Sequence, residues 1–583
     1  MSFALGSLGP QVPMEFNGTF DIVIGNPPWT NLRDEPAGQV RSSLVKAVDA
    51  DAVFSEIGRR VLEQRGAKKF AEAYENPNRN PDWPFIWRAM EWGKPGGIIA
   101  LALPGRIFAR TNEKNDTAWL ALLQTVAVTG LINGSDLRKT QVWEGVDVPF
   151  CLMFARNAVP KADHRFYYTT PSYEWDVNRH GRFRIDYESA QTIRVERVIA
   201  VPWLLKTLSL GTWVDVELIE RLAERFPESL RDFWRRWDLD AKRSGRGYDL
   251  SVNVTKVDAG FLCDLKDFIR PEGFSIPYRE FVTFYERYRT KKVNRPRSEV
   301  LYQPPLVIIP EAPGDDPQSA HAYLARRPLA FSKSFYGYSC TGHPEEEVLA
   351  ALLYLIAHST LWEYFRLMVS PRFGADRQSF NKDDFDSIPF PDIAKIPKDT
   401  KRTAQRLAAS LEEGGTKLWG EIDKLIFGIY AIEDDEIQVI RDTLFAAASY
   451  RRKGRAALES TKAADRRDFE AELRELLAPY FEVCGSEPMF ADVELQHQGH
   501  REPWCFLSVT KGATMRTAPA ALLTKAMQVA NQRAASRILI KLPQHGGLLV
   551  GLLDQRRWWT KTRARLCGQH IIRNQLDAFG LGA

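Results

Sequence analysis

Short apolar runs alternate with amphipathic stretches over the first 160 residues of the chain. The run from Ile22 to Ile24, preceded by Phe20, is too short for a helix and predicts a buried parallel strand. Further strands are predicted at residues 98–103, 129–133 and 149–155, and helices at residues 83–92 and 117–126. Strands that alternate with helices in this way are typical of an α/β sheet.

The same patterns continue through the rest of the chain. They predict strands at residues 164–168, 306–309, 491–495 and 505–509, a hairpin at 537–553, helices at 207–224, 346–357, 400–424, 468–480, 518–533 and 560–574, and a short helix beginning at Asp434. We therefore divide the chain into residues 1–160, a connector at 161–250, a domain at 251–395, a helical tail at 396–449 and an α+β module at 450–583.

Composition narrows the class of protein. The 583 residues, 44% apolar and 26% charged, predict about three globular domains. A net charge of +5 means that any nucleic-acid surface is a local basic face. The first residues lack the pattern of a signal peptide, and the longest apolar run, residues 348–357, is far shorter than the roughly 20 residues of a membrane span. We therefore expect no membrane partner.

Cysteine and histidine usage points to a cytoplasmic protein without a metal. The 6 cysteines are scattered and form no CxxC pair, which favours reduced thiols over disulfides. Neither His497 with His500 nor Cys567 with His570 is accompanied by two further ligands at zinc spacing. The sequence therefore predicts no metal site.

The first apolar run leads into a loop with unusual chemistry, Asn26-Pro27-Pro28-Trp29. Gly25 allows a sharp turn, the prolines disfavour a helix, and open α/β sheets bind ligands at the carboxyl ends of strands. Oxygens of Asn26 and Pro27 can accept both N–H bonds of an exocyclic base amine, which makes its nitrogen more nucleophilic. Trp29 offers a face on which an extruded base can stack. The alternative is an ordinary strand followed by a proline-stiffened turn.

This loop resembles motif IV of the DNA amino-methyltransferases, and the chain is similar to their γ class and to related type IIG and phage-defence enzymes over residues 20–157 and, more loosely, 250–435. Asn in the first position of the motif favours adenine N6 over cytosine N4. The resemblance implies a partial Rossmann-like methyltransferase sheet followed by an α+β target-recognition domain. It also implies that Trp143 stacks on the far face of the flipped adenine, and that Phe85 and Asn26 contact S-adenosylmethionine.

The family's cofactor half is not recognisable in this sequence. Fewer than twenty residues precede the first strand, and no strand–FxGxG–helix unit follows it. We therefore expect a subunit of a split, adenine-specific DNA methyltransferase in a restriction-modification or phage-defence system, with S-adenosylmethionine bound largely by a second polypeptide that carries motif I. An artificially shortened enzyme, or a catalytically inactive DNA-binding specificity subunit of a defence complex, are the alternatives.

Basic residues interleave with aromatic residues between Tyr278 and Arg297. Arginine and lysine neutralise phosphates, and arginine reads guanine edges. Contacts to double-stranded DNA are predicted for Arg279, Arg287, Arg289, Lys291, Lys292, Arg295 and Arg297, and for Arg372 in a segment that resembles the end of a target-recognition domain. The alternative is a helix with one aromatic core face and one solvated basic face.

Overall fold

The computed structural model describes residues 8, 14–29, 50–77, 80–108, 113–185, 190–239, 242–251, 256–269, 279–313, 321–371, 379–414, 418–451, 456–493, 504–533 and 535–581. Two compact units divide the chain. One contains Met1–Thr212 together with Arg455–Ala583, and the other contains Trp213–Gly454. The five-part division predicted from the sequence stays a prediction.

A mixed six-stranded sheet forms the N-terminal part of the first unit. Its strands are β1 (Phe20–Gly25), β2 (Gly93–Pro104), β3 (Ala127–Asn133), β4 (Phe150–Arg156), β5 (Arg165–Thr169) and β6 (Ala190–Arg194), in the order β1-β2-β4-β3-β5-β6. β1 pairs parallel with β2, β4 lies antiparallel between β2 and β3, and β3 pairs parallel with β5. The carboxyl ends of β1, β2, β3 and β5 therefore lie at one edge. The predicted α/β class is confirmed, and the sheet continues past residue 160.

Seven helices accompany this sheet among the described residues of the N-terminal part. They are α1 (Ala50–Gln64), α2 (Lys68–Ala73), α3 (Asp82–Trp92), α4 (Glu113–Thr125), α5 (Trp175–Asn178), α6 (Val195–Ala200) and α7 (Leu204–Leu210). α3 packs on β2 and α4 on β3. Alternate residues of β2 that face the helices, Ile99, Leu101 and Leu103, are buried. Side chains that alternate between the two faces of the strand thus give this sheet one buried face.

The prediction that residues 22–24 form a buried strand was correct in its parallel pairing and wrong in its burial. Ile22 and Ile24 are 54% and 78% exposed. The reason is that β1 lies at the end of the sheet and pairs, among the described residues, only with β2. An apolar run indicates a strand whose side chains are suited to burial. It does not indicate whether other elements of the same chain bury them.

The transition from α3 to β2 is more abrupt than its glycines and proline suggest. β2 begins at Gly93, directly after the helix, and its pairing with β1 shifts register between Phe20 and Ile22. Gly96 has a φ of +77°, and a Cβ on Gly97 would lie 3.0 Å from the Asp21 carbonyl oxygen. Both glycines are therefore needed where the two strands approach closely.

The second unit contains three small sheets and nine helices among its described residues. Its strands are β7 (Ser244–Arg246), β8 (Val257–Asp258), β9 (Lys266–Ile269), β10 (Arg279–Thr283), β11 (Lys292–Val293), β12 (Leu306–Pro310), β13 (Tyr323–Ala325), β14 (Leu329–Ala330) and β15 (Phe335–Ser339). Its helices are α8 (Trp213–Arg225), α9 (Leu230–Arg236), α10 (Phe284–Tyr288), α11 (Glu346–His358), α12 (Thr360–Val369), α13 (Lys382–Asp386), α14 (Lys398–Glu412), α15 (Trp419–Ile429) and α16 (Asp434–Arg451). The sheets have the orders β13-β12-β15-β7, β10-β9-β14 and β11-β8.

The apolar helices of the second unit form its interior. α11 is buried on all sides, as expected of a helix that is apolar all round. Within the described part of the chain no single helix is long and apolar enough to cross a membrane, and α11 and α12 meet that test only as a pair bent by 67°. The helix predicted to be short at Asp434 extends to Arg451 instead, because Val439 and Ile440 add a buried face.

The C-terminal residues belong to the first unit and form a four-stranded antiparallel sheet with three helices. These elements are β16 (Pro488–Val493), β17 (Trp504–Lys511), β18 (Arg537–Leu542), β19 (Gly547–Leu553), α17 (Ala463–Glu482), α18 (Ala520–Arg533) and α19 (Lys561–Asn574). The predicted hairpin is confirmed as β18 and β19, with Gly546 at φ +55° in its turn. Arg557, which follows β19, donates from Nη2 to the Tyr173 carbonyl oxygen at 2.6 Å, so the C-terminal residues contact the N-terminal part of their unit.

Candidate functional site

The candidate site lies at the edge of the N-terminal sheet where β1, β2 and β3 all end. The Asn26–Trp29 loop follows β1, Arg106 follows β2, and Trp143 follows β3. Because these three strands run in the same direction, their following loops meet at the same edge. This is the position at which open α/β sheets bind ligands.

The predicted catalytic loop is exposed at its first residue and anchored at its last. Asn26 and Pro28 are exposed, Pro27 is buried and Trp29 is half-buried. The Asn26 side chain has no hydrogen-bond partner among the described residues. Gly25, which was expected to allow a sharp turn, does not have a positive φ. A Cβ there would instead lie 3.2 Å from Leu101 Cδ2, so the glycine serves close packing of β1 on β2.

Arg106 and the end of β2 fix the position of Trp29. The Trp29 indole Nε1 donates to the Ala102 carbonyl oxygen at 3.2 Å. Arg106 Nη2 donates to the Trp29 carbonyl oxygen at 2.7 Å and to Asp82 Oδ2 at 2.8 Å. Burial raises the pKa of Asp82 to about 6, against the opposing effect of Arg106. The loop backbone is therefore tied to the first turn of α3 through one guanidinium group.

The sequence did not single out Arg106 or Asp82. The signal that was present is positional, since Arg106 comes directly after a predicted strand, at the carboxyl edge where ligands bind. Asp82 is the first residue of α3, where a carboxylate also interacts favourably with the helix dipole. Neither position carries a recognisable motif, so only the fold brings the two side chains together.

Trp143 lies where the sequence places a second aromatic residue. The Thr140 side chain accepts a hydrogen bond from Val142 N and so begins the short helical turn that ends at Trp143. The Trp29 and Trp143 rings are 5.3 Å apart between centroids at an interplanar angle of 75°, and Trp143 also meets Phe150 edge to face at 5.0 Å. A base held between parallel rings needs roughly 7 Å, twice the base-stacking distance. The two indoles therefore lie in one site but leave no gap for a base between them as observed. Their stacking roles stay predictions.

The two residues predicted to contact S-adenosylmethionine are both accessible to solvent. Phe85 is partly exposed on α3, one helical turn after Asp82, which Arg106 connects to Trp29. Asn26 is exposed at the end of β1. Among the described residues of β1 and its loop there is no glycine-rich turn and no carboxylate placed for ribose hydroxyls. Contact of Phe85 and Asn26 with S-adenosylmethionine stays a prediction.

The predicted DNA-contacting residues lie in the second unit, around β10, α10 and β11. Arg289, Lys291, Lys292 and Arg295 are exposed, and Arg297 is partly exposed with its Nε 3.3 Å from the Gly247 carbonyl oxygen. The Arg279 side chain and all of Arg372 lie outside the described residues. α10 has only 5 residues, so this segment is not the single long helix of the alternative interpretation. DNA contact by the exposed residues stays a prediction.

Arg287 has an internal partner. It forms an ion pair with Asp267, which is fully buried on β9. The Tyr248 hydroxyl lies 3.0 Å from both Asp267 carboxylate oxygens and 2.9 Å from the Tyr288 hydroxyl. Burial raises the pKa of Asp267 to about 6. Arg287 thus compensates a buried carboxylate, and its predicted contact with DNA competes with this structural role.

The raised pKa of Asp267 predicts a pH-dependent contribution to stability. An unfolded aspartate titrates near pH 3.9, so between about pH 4 and pH 6 the folded chain binds the additional proton and the free energy of unfolding falls as pH rises. This contribution is at most about 3 kcal/mol. Urea unfolding of wild type and Asp267→Asn at several pH values measures it. We expect the stability advantage of wild type to shrink from pH 4 to pH 7, and an advantage that grows with pH would contradict this assignment.

Potential metal ligands are not clustered in the part of the chain that the structure describes. No group of three or more His, Cys, Asp or Glu side chains there is arranged to hold a metal ion. His497 and His500 lie outside the described residues. Cys567 is buried and forms no disulfide.

Comparisons with known proteins find similarity to solved structures of restriction-modification enzymes. No family model matches the sequence, and no curated protein matches it. The type IIL restriction-modification enzyme MmeI in complex with DNA is 12% identical, with a TM-score of 0.38, over 74% of this chain and 57% of that chain. The type IIG restriction endonuclease BpuSI is 14% identical, with a TM-score of 0.28, over 72% and 55%.

A third solved structure, the methyltransferase subunit of a type I restriction-modification system from Streptococcus thermophilus, is 17% identical, with a TM-score of 0.24, over 33% of this chain and 38% of that chain. The chain therefore spans a little over half the length of the two type II enzymes and less of the type I subunit. These three solved structures come from restriction-modification systems.

Proposed function

We propose that the chain is a subunit of an adenine-specific DNA methyltransferase in a restriction-modification or phage-defence system. It flips an adenine out of duplex DNA and presents the N6 amine to S-adenosylmethionine, which a second polypeptide carrying motif I largely binds. The observation that carries this proposal is the position of exposed Asn26 at the carboxyl end of a parallel strand, beside the paired indoles of Trp29 and Trp143.

The chemistry requires positioning rather than a general base. An adenine amine is a poor nucleophile because its lone pair is delocalised into the ring. The Asn26 side-chain oxygen and the Pro27 carbonyl oxygen accept its two N–H bonds and localise the lone pair on nitrogen. S-adenosylmethionine would supply the methyl group and leave as S-adenosylhomocysteine, and the methylated nitrogen would then lose one of its protons to water. Asn26 is exposed and therefore accessible to the base, and the hydrogen bond from Arg106 to the Trp29 carbonyl oxygen braces the loop backbone that carries both acceptors.

The aromatic pair supplies the energy for base flipping. Stacking on an aromatic side chain is worth about 1–3 kcal/mol per base, which offsets the few kcal/mol spent in unstacking. In the observed arrangement the rings touch edge to face. One indole therefore has to turn before a base can enter between them. The Trp29 indole donates a hydrogen bond to the Ala102 carbonyl oxygen, whereas the Trp143 indole has no hydrogen-bond partner among the described residues, so Trp143 is the ring that turns.

The test of this function is methyl transfer to DNA. The chain is purified from the cells that make it, together with any polypeptide that accompanies it, and incubated with duplex DNA and isotope-labelled S-adenosylmethionine. Digestion and mass spectrometry of the nucleosides should show labelled N6-methyladenine. Label on cytosine N4, or no label in DNA of any sequence tested, would overturn the proposal.

A prediction follows for Trp143. Trp143→Ala should weaken binding to duplex DNA containing 2-aminopurine at the target position by about 5- to 150-fold, the equivalent of 1–3 kcal/mol of stacking. It should also lower the fluorescence change that reports flipping. Trp143→Phe retains an aromatic face and should lose much less. Equal losses for alanine and phenylalanine would contradict a stacking role.

The second candidate function is a catalytically inactive specificity subunit that binds DNA for a defence complex. The direct contact between the two indoles favours it, because the site as observed has no gap for a base. This candidate predicts sequence-specific DNA binding without labelled N6-methyladenine, even with every accompanying polypeptide present. The methyl-transfer experiment therefore separates the two functions.

A further inference from the structure

A cavity of about 960 Å³ lies within the second unit. Its main walls are four segments of the chain, namely the end of α8 with residues 226–228, residues 390–397, the first part of α14, and α15. All 20 residues that line it belong to the described ranges 190–239, 379–414 and 418–451. Small-molecule sites occupy about 300–1,000 Å³. The volume and the convergence of four segments therefore fit a compact ligand, rather than a long peptide or duplex DNA.

The walls of this cavity are hydrogen-bonded and packed together. The Phe390 backbone N–H donates to the Glu228 carbonyl oxygen at 2.8 Å, which joins the segment at 390–397 to the one that follows α8. The Tyr430 hydroxyl, directly after α15, donates to the Pro389 carbonyl oxygen at 2.9 Å, and α14 packs on α15. The cavity is therefore formed by the fold itself, as most small-molecule sites are.

Apolar side chains provide much of the lining. Phe390, Ile396 and Leu407 are buried, and Phe226 and Leu425 are partly exposed. A ligand without an apolar part would leave these surfaces in contact with water. The cavity therefore favours a molecule with an apolar body.

Gly428 keeps one side of the cavity open. It lies on α15 and lines the cavity, and a Cβ at this position would have no atom within 4 Å. Its φ is not positive, so the backbone does not require glycine here. Glycine weakens a helix relative to alanine. The missing side chain thus contributes space, which a bound molecule can fill.

Most of the basic side chains of the cavity are already compensated. Five basic and three acidic residues line it. Arg236 forms an ion pair with Glu228 at 2.7 Å, and Lys395 lies 3.9 Å from Asp392. Arg225 pairs at 2.8 Å with a glutamate of α16, outside the cavity. These contacts compensate three of the five cations.

The other two cations have no ion-pair partner among the described residues. They are Arg406 on α14 and Lys424 on α15, and both are exposed. Glu421, one helical turn before Lys424, also lacks such a partner within the described ranges, so one net positive charge remains. A neutral apolar ligand would leave this charge uncompensated. A negatively charged group beside apolar walls is attracted to it more strongly than in open water.

We propose that this cavity binds a small organic anion, in which an apolar ring system carries a carboxylate, sulfonate or phosphate group. Arg406 and Lys424 pair with the acidic group, and Phe390 and Leu425 contact the ring. All residues of this site belong to the second unit, whereas the Asn26 loop belongs to the first, so methyl transfer can fail without affecting the site.

An aromatic sulfonate tests the site directly. The probe is anilinonaphthalene sulfonate, whose fluorescence reports apolar surroundings, titrated into the purified full chain. We expect one saturable site, and a higher thermal unfolding midpoint with bound probe. Gly428→Phe, which fills the cavity, should weaken binding at least about tenfold. Gly420→Phe places the same ring on α15, likewise with no atom within 4 Å of its Cβ but outside the cavity, and should bind the probe as wild type does. Equal binding by the two variants would overturn the proposal.

The role of charge is tested separately. Arg406→Met combined with Lys424→Met should weaken binding of the sulfonate at least about threefold, because pairs between exposed charges are individually weak. Arg402→Met, on the same helix but outside the cavity, should have no effect. The neutral analogue N-phenylnaphthylamine should bind wild type more weakly than the sulfonate does, and the double variant equally weakly. Equal affinity of wild type for the neutral and charged probes, or displacement of the dye by inorganic sulfate at equal concentration, contradicts an organic-anion site.

Discussion

Replacing Asn26 by alanine is expected to reduce methyl transfer by about 10²–10³-fold, the range measured when an enzyme loses one preorganised polar contact to its transition state. The variant removes the only side-chain oxygen of the loop that can accept from the adenine amine, and it leaves Pro27 in place. Asn26 is exposed and lacks a hydrogen-bond partner among the described residues, so the unfolding midpoint should not change. Single-turnover measurement of labelled N6-methyladenine at saturating DNA isolates the chemical step.

Asn26→Asp is the matched control for this variant. A carboxylate keeps an acceptor oxygen at nearly the same position, so Asn26→Asp should retain more activity than Asn26→Ala. DNA binding should be similar in both variants, because the loop is not part of the basic segment of the second unit. Alanine and aspartate variants with equal activity would show that the oxygen at position 26 takes no part in catalysis.

The local sequence pattern was sufficient to predict those helices and strands whose determining interactions lie within one short segment. The hairpin of β18 and β19 follows from two apolar strands separated by a glycine-containing turn, and α19 begins one residue after Thr560, whose side chain accepts from Arg563 N. Five of the six strands of the N-terminal sheet were also predicted, although β2 begins five residues earlier than expected, and β6 was not predicted. In each case the determining interactions lie close in sequence, where periodicity and capping residues report them.

Features that depend on distant partners were not predictable in the same way. The exposure of Ile24 depends on which strands are present beside β1, and the apolar run is identical whether it is covered or open. Arg287 has the composition of a phosphate-binding residue, yet it pairs with Asp267, twenty positions earlier, because the fold buries that carboxylate. The relative orientation of Trp29 and Trp143 depends on Phe150 and Ala102, which belong to other strands.

Arg106→Met is expected to damage both the stability of the site and methyl transfer. The variant leaves Asp82, whose side chain is only 2% exposed, without its cationic partner. Breaking a buried ion pair costs about 3–5 kcal/mol, and the lower figure applies because Arg106 is partly exposed. Arg402→Met, which breaks an ion pair between two exposed side chains on α14, is the control and should cost less than about 1 kcal/mol.

The cost of Arg106→Met should increase with pH. In wild type the pKa of Asp82 is about 6 in the folded chain and near 3.9 in the unfolded chain. The folded chain therefore binds the proton more tightly, and the free energy of unfolding falls as the pH rises from about 4 to about 6. Removing Arg106 raises the folded pKa further and extends this loss to neutral pH. Thermal unfolding should therefore show a small difference from wild type at about pH 5 and a larger one at about pH 8. A difference that shrinks with pH would contradict the assigned ion pair.

Combining Arg106→Met with Asp82→Asn separates stability from positioning. The double variant removes the buried charge as well as its partner, so it should recover most of the stability lost by Arg106→Met. It does not restore the hydrogen bond that Arg106 Nη2 donates to the Trp29 carbonyl oxygen, and the loop stays without that brace. We therefore expect methyl transfer to remain low while the unfolding midpoint recovers. Recovery of both would show that Arg106 acts only through the fold, and that the Trp29 backbone needs no support to present Asn26 to the base.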